Sequence, residues 1–192
     1  MTLPPKQLRM VIDKEAVCQL PDIVLPIGYS SRPYRSGDVA SWADSLRQGG
    51  FTDWTETRVA EYLKNTERKE GSGLVEFGGR IVAATFASRL GNQPHNPGNV
   101  VAEPSNIGIL DFVVTHPEHR GRGLGKATCT AVAKFLVARG CTTIELGTDD
   151  WRLPAIHVYL SMGFQPVINR NDMPGRWAAV IEKLKESGRD HT

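Results

Sequence analysis

Residues Val113 to Ala127 read VVTHPEHRGRGLGKA. The segment begins within an apolar run, Ile107 to Thr115, which is typical of a strand buried on both faces. It ends in a helix predicted over residues 123 to 139, whose apolar residues recur at helical spacing. Three alternating glycines join the two elements: Gly121, Gly123 and Gly125. Because glycine lets the backbone approach a ligand closely, this arrangement predicts a binding site at the turn.

The turn has the features of an anion site. The first N–H groups of a helix have no partner within the helix and, together with the helix dipole, attract negative charge. Three basic side chains lie beside them: Arg120, Arg122 and Lys126. A P-loop would need glycine at Arg120 and a hydroxyl residue at Ala127, and the dinucleotide fingerprint would need glycine at Lys126. The pattern therefore predicts a phosphate site but excludes an ordinary ATP or NAD site.

A second segment, Ala155 to Phe164, reads AIHVYLSMGF and follows Pro154, which is suited to the first turn of a helix. Pro117 to Ala127 resembles motif A of the GCN5-related N-acetyltransferases, whose core pattern is Q/R-x-x-G-x-G/A. The second segment resembles motif B of the same family, A-x-x-x-Y-x-x-x-G-F. The resemblance extends from about Tyr29 to Leu184.

The order of the predicted elements indicates a mixed fold. From about residue 27 it runs strand, two helices, three strands, helix, strand, helix and final strands. A strand-helix-strand crossover in this order implies an α/β or α+β domain around a mixed sheet. The resemblance implies the three-layer α+β fold of the family, in which helices flank a mixed, mostly antiparallel central sheet.

Three ranges of the chain are distinguished. Residues 1–26 are predicted to be an N-terminal extension, in which Leu8 to Ile12 can form a short strand. Residues 27–186 are predicted to be the acyltransferase domain, and residues 187–192 a tail.

Three segments within the domain carry further predictions. Phe164 to Ile168 and Trp177 to Leu184 are expected to be closing strands. Gly91 to Ser105, rich in proline, glycine and asparagine, is expected to be a long loop, either functional or disordered.

The resemblance implies that acetyl-CoA is the cofactor, with its diphosphate on the glycine turn. It also implies that N–H groups of Val114 and Thr115 polarise the thioester where the strand splays from its neighbour. This chain departs from the family pattern at Arg152, a position where the family often has asparagine. The predicted cofactor-binding residues are Val114, Thr115, Arg120, Gly121, Arg122, Gly123, Leu124, Gly125 and Lys126.

Tyr159 is the candidate general acid. In the family the tyrosine of motif B stands near the cofactor sulfur, and a phenol with a pKa of about 10 stays protonated at neutral pH. The other interpretation is a tyrosine that packs in the core.

Asp111 is the candidate base. It is the carboxylate within the apolar strand, on which it is predicted to share a face with Ile109, Val113 and Thr115. A buried carboxylate is costly unless it is paired or functional, so a structural Asp111 is the alternative. Glu145, His116 and ordered water are weaker candidates.

Composition excludes several classes of protein. A net charge of +2 does not favour nucleic-acid binding, and no apolar run approaches the roughly 20 residues of a membrane span. Three cysteines without C-x-x-C spacing predict no metal site and, with no apparent secretory signal, a cytoplasmic protein.

Taken together, the sequence predicts an N-acetyltransferase that moves an acetyl group from acetyl-CoA to a primary amine by direct attack in a ternary complex. The acceptor would be a small molecule or a peptide, and the resemblance leaves room for a homodimer. The alternative is a non-catalytic acyl-CoA sensor.

Overall fold

The computed structural model describes residues 6–90 and 105–188. Within them seven strands form one sheet: β1 Leu8–Asp13, β2 Tyr29–Arg32, β3 Gly73–Phe77, β4 Arg80–Arg89, β5 Ile107–Thr115, β6 Thr143–Thr148 and β7 Gln165–Pro166. The α-helices of the same residues are α1 Lys14–Gln19, α2 Val39–Gln48, α3 Glu56–Tyr62, α4 Thr66–Gly71, α5 Leu124–Ala138, α6 Leu153–Ser161 and α7 Met173–Glu186. The predicted loop at residues 91–104 lies outside the described residues.

The sheet is mixed and mostly antiparallel. Its strand order is β2-β3-β4-β5-β6-β1-β7, and only the β5–β6 pair is parallel. Parallel neighbours need a crossover, which α5 supplies. Phe86 and Ala87, consecutive on β4, belong to separate buried clusters, one with α2 and α3 and the other with α1, α5, α6 and α7. Helices therefore cover both faces of the sheet, and the predicted fold class is confirmed.

Strands β5 and β6 diverge soon after they meet. Their pairing joins Ile107–Ile109 to Thr143–Glu145 and goes no further, whereas β5 stays paired with β4 as far as Thr115. The diverging strands leave a gap in the sheet beside the carboxyl end of β5.

A bulge in β5 changes which residues share a face. Phe112 has φ = 47°, and the pairing with β4 shifts by one residue between Ala84 and Phe86. The side chain of Asp111 consequently contacts Tyr62 of α3, whereas the Thr115 hydroxyl lies on the side of α5. The prediction that Asp111 shares a face with Val113 and Thr115 is wrong, because an extra residue reverses the alternation of a strand.

The N-terminal segment belongs to the sheet. Strand β1 lies between β6 and β7, and Leu8, Met10 and Ile12 are buried against the α5, α6 and α7 side. The predicted extension over residues 1–26 thus supplies an interior strand, and residue 27 is not a boundary of the core.

The C-terminal segment is helical. Trp177 to Leu184, predicted as a strand, lies within α7. Trp177, Val180 and Leu184 are buried at spacings of three and four residues, which place them on one helical face. The closing strand predicted at Phe164 to Ile168 is reduced to the two residues of β7.

Among the described residues, no helix combines the length and the apolar character needed to cross a membrane.

Candidate active site

A cleft of about 600 Å³ occupies the gap between β5 and β6. The end of β5, the glycine turn, the first turn of α5 and one side of α6 form its walls. The predicted residues that line it are Val114, Thr115, Arg120, Gly121, Gly123, Leu124, Gly125, Lys126 and Tyr159.

The glycine turn is held in a left-handed conformation. Gly121 has φ = 74° and Gly123 has φ = 75°, values that L-residues with a Cβ rarely adopt. A Cβ at either position would meet no atom within 4 Å, so the surrounding space is open. Glycine is therefore required here by backbone conformation rather than by crowding.

The amides of this turn have no acceptor among the residues that the structure describes. The first backbone bond of α5 runs from the Ala127 N–H to the Gly123 carbonyl at 3.0 Å, and no side chain caps the helix. Across residues 6–90 and 105–188, no acceptor receives a hydrogen bond from the N–H groups of Gly121 to Lys126. Six consecutive donors at a helix N-terminus that borders a cleft fit a diphosphate.

The basic side chains divide between the cleft and the turn. Arg120 and Lys126 line the cleft, where the Lys126 ammonium lies 3.3 Å from the Ser161 hydroxyl. The Arg122 guanidinium instead donates to the Glu118 carbonyl at 2.6 Å and is absent from the lining. Arg122 therefore braces the turn, and the structure does not bring its side chain to the predicted cofactor site.

The amides of β5 alternate in direction. The His116 N–H donates to the Val82 carbonyl at 2.8 Å, which makes Val114 and Ala84 the next hydrogen-bonded pair of this antiparallel ladder. The Val114 N–H thus points to β4, and the Thr115 N–H points to the side from which β6 has diverged. Of the two predicted amides, only that of Thr115 faces the gap.

His119 is a cleft residue that the sequence analysis missed. Its Nδ1 lies 2.9 Å from the Tyr29 hydroxyl, and its ring borders the cleft. Burial, followed by the neighbouring charges of His116 and Arg122, lowers its pKa and favours the neutral ring. The alternation of glycine and arginine that marks the turn gave no signal for this side chain.

Tyr159 lies between this cleft and a second cavity. Its side chain is buried, and the described residues offer its hydroxyl no hydrogen-bond partner. Burial is the main cause that raises the pKa of Tyr159 well above its usual value, so the phenol stays protonated. A protonated phenol that lines both cavities is suited to donate to a group that enters the cleft.

The second cavity has a volume of about 460 Å³ and shares four residues with the cleft: Val113, Arg152, Ala155 and Tyr159. Carboxylates of Asp111 and Glu145 border it, together with the apolar side chains of Phe51, Leu90, Ile109 and Phe112. The two cavities thus meet at Tyr159.

Asp111 is hydrogen-bonded within the protein. Its Oδ2 accepts from the Tyr62 hydroxyl and, at 3.5 Å, from the Ser88 hydroxyl. The Arg68 guanidinium stacks 3.8 Å from the centre of the Tyr62 ring. These contacts support the structural interpretation of Asp111, although its carboxylate also borders the second cavity.

Glu145 pairs with Arg9 of the N-terminal strand. Arg9 and Val11 alternate with the buried Leu8, Met10 and Ile12, which places them on the opposite face of the sheet, with Glu145. Sequence reasoning missed Arg9 because the strand was assigned to an extension, although this alternation was visible in the sequence.

Comparisons with known proteins indicate the family to which the chain belongs. Residues 39–164 match the family model described as the acetyltransferase (GNAT) family. The chain is 30% identical over 169 residues to a mycothiol acetyltransferase of Streptomyces bingchenggensis, which covers 83% of this chain and 50% of the relative. It is 27% identical over 124 residues to a thialysine N-epsilon-acetyltransferase of Bos taurus, and the matched region covers 64% of each of the two chains.

Among solved structures, a GCN5-related N-acetyltransferase from Sphaerobacter thermophilus superposes with a TM-score of 0.61 at 19% identity, over 85% of this chain and 50% of that chain. The chain spans half the length of the mycothiol acetyltransferase that it matches. The match of the family model to most of the sequence, over the elements that form the cleft, shows that the chain belongs to the acetyltransferase (GNAT) family.

Proposed function

We propose that the protein is an N-acetyltransferase that transfers the acetyl group of acetyl-CoA to a primary amine within a ternary complex. One observation carries the proposal: a cleft with six amides at one end, which have no acceptor among the described residues, meets a second cavity at Tyr159. Two similar proteins named as acetyltransferases, of mycothiol and of thialysine, support acetyl transfer as the reaction type.

The residues of the cleft fit coenzyme A. The N–H groups of Gly121 to Lys126 would hold the diphosphate, with the positive charges of Arg120 and Lys126 beside them. The Thr115 N–H would donate to the thioester carbonyl oxygen as negative charge develops there. The end of a strand and the start of a helix orient these donors toward the cleft.

The chemistry exchanges one bond for another and moves three protons, two from the acceptor nitrogen and one to the sulfur. When bound, acetyl-CoA supplies the acetyl group as a thioester. The acceptor, attracted as ammonium, first loses one proton to become a neutral amine. Its nitrogen then forms the new C–N bond as the C–S bond breaks and loses a second proton, while the sulfur gains one. Tyr159 would donate its hydroxyl proton to the sulfur and recover a proton from water, since its raised pKa keeps it protonated beforehand.

The amine proton would leave on the side of the second cavity. Glu145 and Asp111 are the carboxylates that border it, and Asp111 is engaged by Tyr62 and Ser88. Asp111 therefore serves in this proposal to fix the wall of the cavity and to attract the ammonium form of the acceptor. Water beside Glu145 would carry the proton away, since the Glu145 carboxylate itself pairs with Arg9.

The proposal is tested with a panel of primary amines and peptides, acetyl-CoA and a readout of free thiol. We expect amine-dependent thiol release that falls in the Tyr159→Phe variant, while calorimetry shows coenzyme A binding to both proteins. Binding without thiol release from any amine would favour the sensor alternative. Absence of coenzyme A binding would refute the assignment altogether.

A further inference from the structure

Arg152 stands where the two cavities meet. Its side chain lines both, beside Tyr159, and the attraction between the Arg152 charge and a phenolate opposes part of the rise in the pKa of Tyr159. At this position the family often has asparagine instead of arginine. A permanent positive charge thus lies next to the proposed reaction centre.

The guanidinium is held in place but keeps donors available. Its Nε donates to the Asp149 carboxylate at 3.1 Å, and its Cζ lies 5.0 Å from the centre of the Phe51 ring and 4.5 Å from that of Trp151. Within the part of the chain that the structure describes, its two terminal amino groups have no hydrogen-bond partner. A stacked guanidinium with a free pair of donors is suited to bind a carboxylate with two parallel hydrogen bonds.

Coenzyme A offers no anion at this point. Its charged groups are the phosphates, for which the turn at Gly121 to Lys126 provides the donors. The pantetheine arm between the diphosphate and the sulfur is uncharged. A second anion that pairs with Arg152 beside Tyr159, in addition to Asp149, would therefore come from the acceptor.

The remaining walls of the second cavity indicate the rest of the acceptor. The carboxylate of Asp111 attracts an ammonium group, whereas the charge of Glu145 is already paired with Arg9, which lines the same cavity. Phe51, Leu90, Ile109 and Phe112 provide an apolar wall for a side chain.

We propose that the acceptor is an α-amino acid with an apolar side chain, and that Arg152 selects it by binding the carboxylate adjacent to the reacting amine. This inference rests on the proposed function. It assigns to Arg152 a role in specificity, whereas an arginine that merely pairs with Asp149 would have no effect on the choice of acceptor.

The test uses acceptors that differ only in the carboxylate: L-leucine with isoamylamine, and L-phenylalanine with phenethylamine. For the wild type we expect the amino acid to have the lower KM in each pair. In Arg152→Gln we expect the KM of the amino acids to rise about 10- to 100-fold, as for the loss of charged hydrogen bonds, with the KM of the amines unchanged. Arg152→Lys, which keeps the charge but not the paired donors, should lose less.

Binding provides a second readout that does not depend on turnover. Calorimetric titration of L-leucine and L-phenylalanine into the protein saturated with coenzyme A should show the same weakening in Arg152→Gln. The control is Arg139→Gln, because Arg139 is likewise stacked on a ring, that of Phe135 at 5.2 Å, and paired with Glu70, but it lines neither cavity. This control should leave all acceptor constants unchanged.

Several outcomes would overturn the inference while the proposed function stands. They are equal use of the amine and the amino acid in each pair, an equal effect of Arg152→Gln on both, or no binding of either amino acid to the coenzyme A complex. An Arg152→Gln variant that weakens coenzyme A instead would assign the guanidinium to the cofactor. If the wild-type protein did not bind coenzyme A, the proposed function itself would be wrong.

Discussion

Replacing Gly123 by alanine isolates the role of the left-handed turn. Gly123 has φ = 75°, and a Cβ there would meet no atom within 4 Å, so the substitution adds strain without a clash. A left-handed conformation costs an L-residue about 1–2 kcal/mol. Because no acceptor within residues 6–90 and 105–188 holds the amides of Gly121 to Lys126, these amides can adjust in the unbound protein, and the cost then falls on binding. We therefore expect the Kd for coenzyme A to rise about 5- to 30-fold.

Gly140, at the other end of α5, provides a matched control. It has φ = 93°, and its Cβ position is likewise open. Here the turn is held, since the Gly140 N–H donates to Val137 at 2.9 Å and the N–H of the buried Cys141 donates to Leu136 at 3.0 Å. Gly140→Ala should therefore lower the free energy of unfolding by about 1–2 kcal/mol and leave the Kd unchanged.

Calorimetry with coenzyme A and denaturant unfolding of both variants make the comparison. The reasoning is refuted if Gly123→Ala binds as tightly as the wild type, or if Gly140→Ala weakens binding by the same factor.

Four further predictions concern the buried residues Tyr159 and Met10. Tyr159→Phe should lower kcat about 100-fold with little change in the KM for acetyl-CoA, measured by thiol release; an unchanged kcat would exclude the proposed acid. Because burial raises the pKa of Tyr159, the phenol stays protonated, and the wild-type kcat should not fall between neutral pH and about pH 10. The pKa of Tyr159 is higher in the folded protein than in the unfolded chain, where it is about 10. Tyr159 therefore contributes its full stability below about pH 10, and this contribution is lost at higher pH because the unfolded chain ionises first. Met10→Ala, at a fully buried position of β1, should lower the free energy of unfolding by about 2–5 kcal/mol, and a loss below about 1 kcal/mol would contradict an interior strand.

The sequence specified the elements around the glycine turn because their signals are local. The apolar run of β5, the glycines of the turn and the spacing of apolar residues in α5 all lie within about thirty residues. The helix of the second motif begins beside Pro154 and ends before Gly163, which has φ = 91°. These elements form the predicted phosphate site without any long-range contact.

The errors arose where tertiary contacts decide the structure. Pairing of β1 with β6 joins residues more than a hundred positions apart, and nothing local reveals it. Trp177, Val180 and Leu184 have helical spacing, but the expectation of a closing strand overrode that pattern. The bulge at Phe112, which moves Asp111 to the face of Tyr62, depends on pairing with β4.

In the candidate site, too, local signals were predictive and tertiary contacts were not. Gly121, Gly123, Lys126 and Tyr159 line the cleft as predicted. Arg122 is turned back to the Glu118 carbonyl, a contact that no motif encodes. Whether these residues bind acetyl-CoA stays a prediction.

A crystal structure with coenzyme A tests the central claim most directly. We predict diphosphate oxygens about 2.7–3.2 Å from backbone nitrogens between Gly121 and Lys126, with the sulfur beside the Tyr159 hydroxyl. A diphosphate bound elsewhere, with these amides facing only water, would contradict the account.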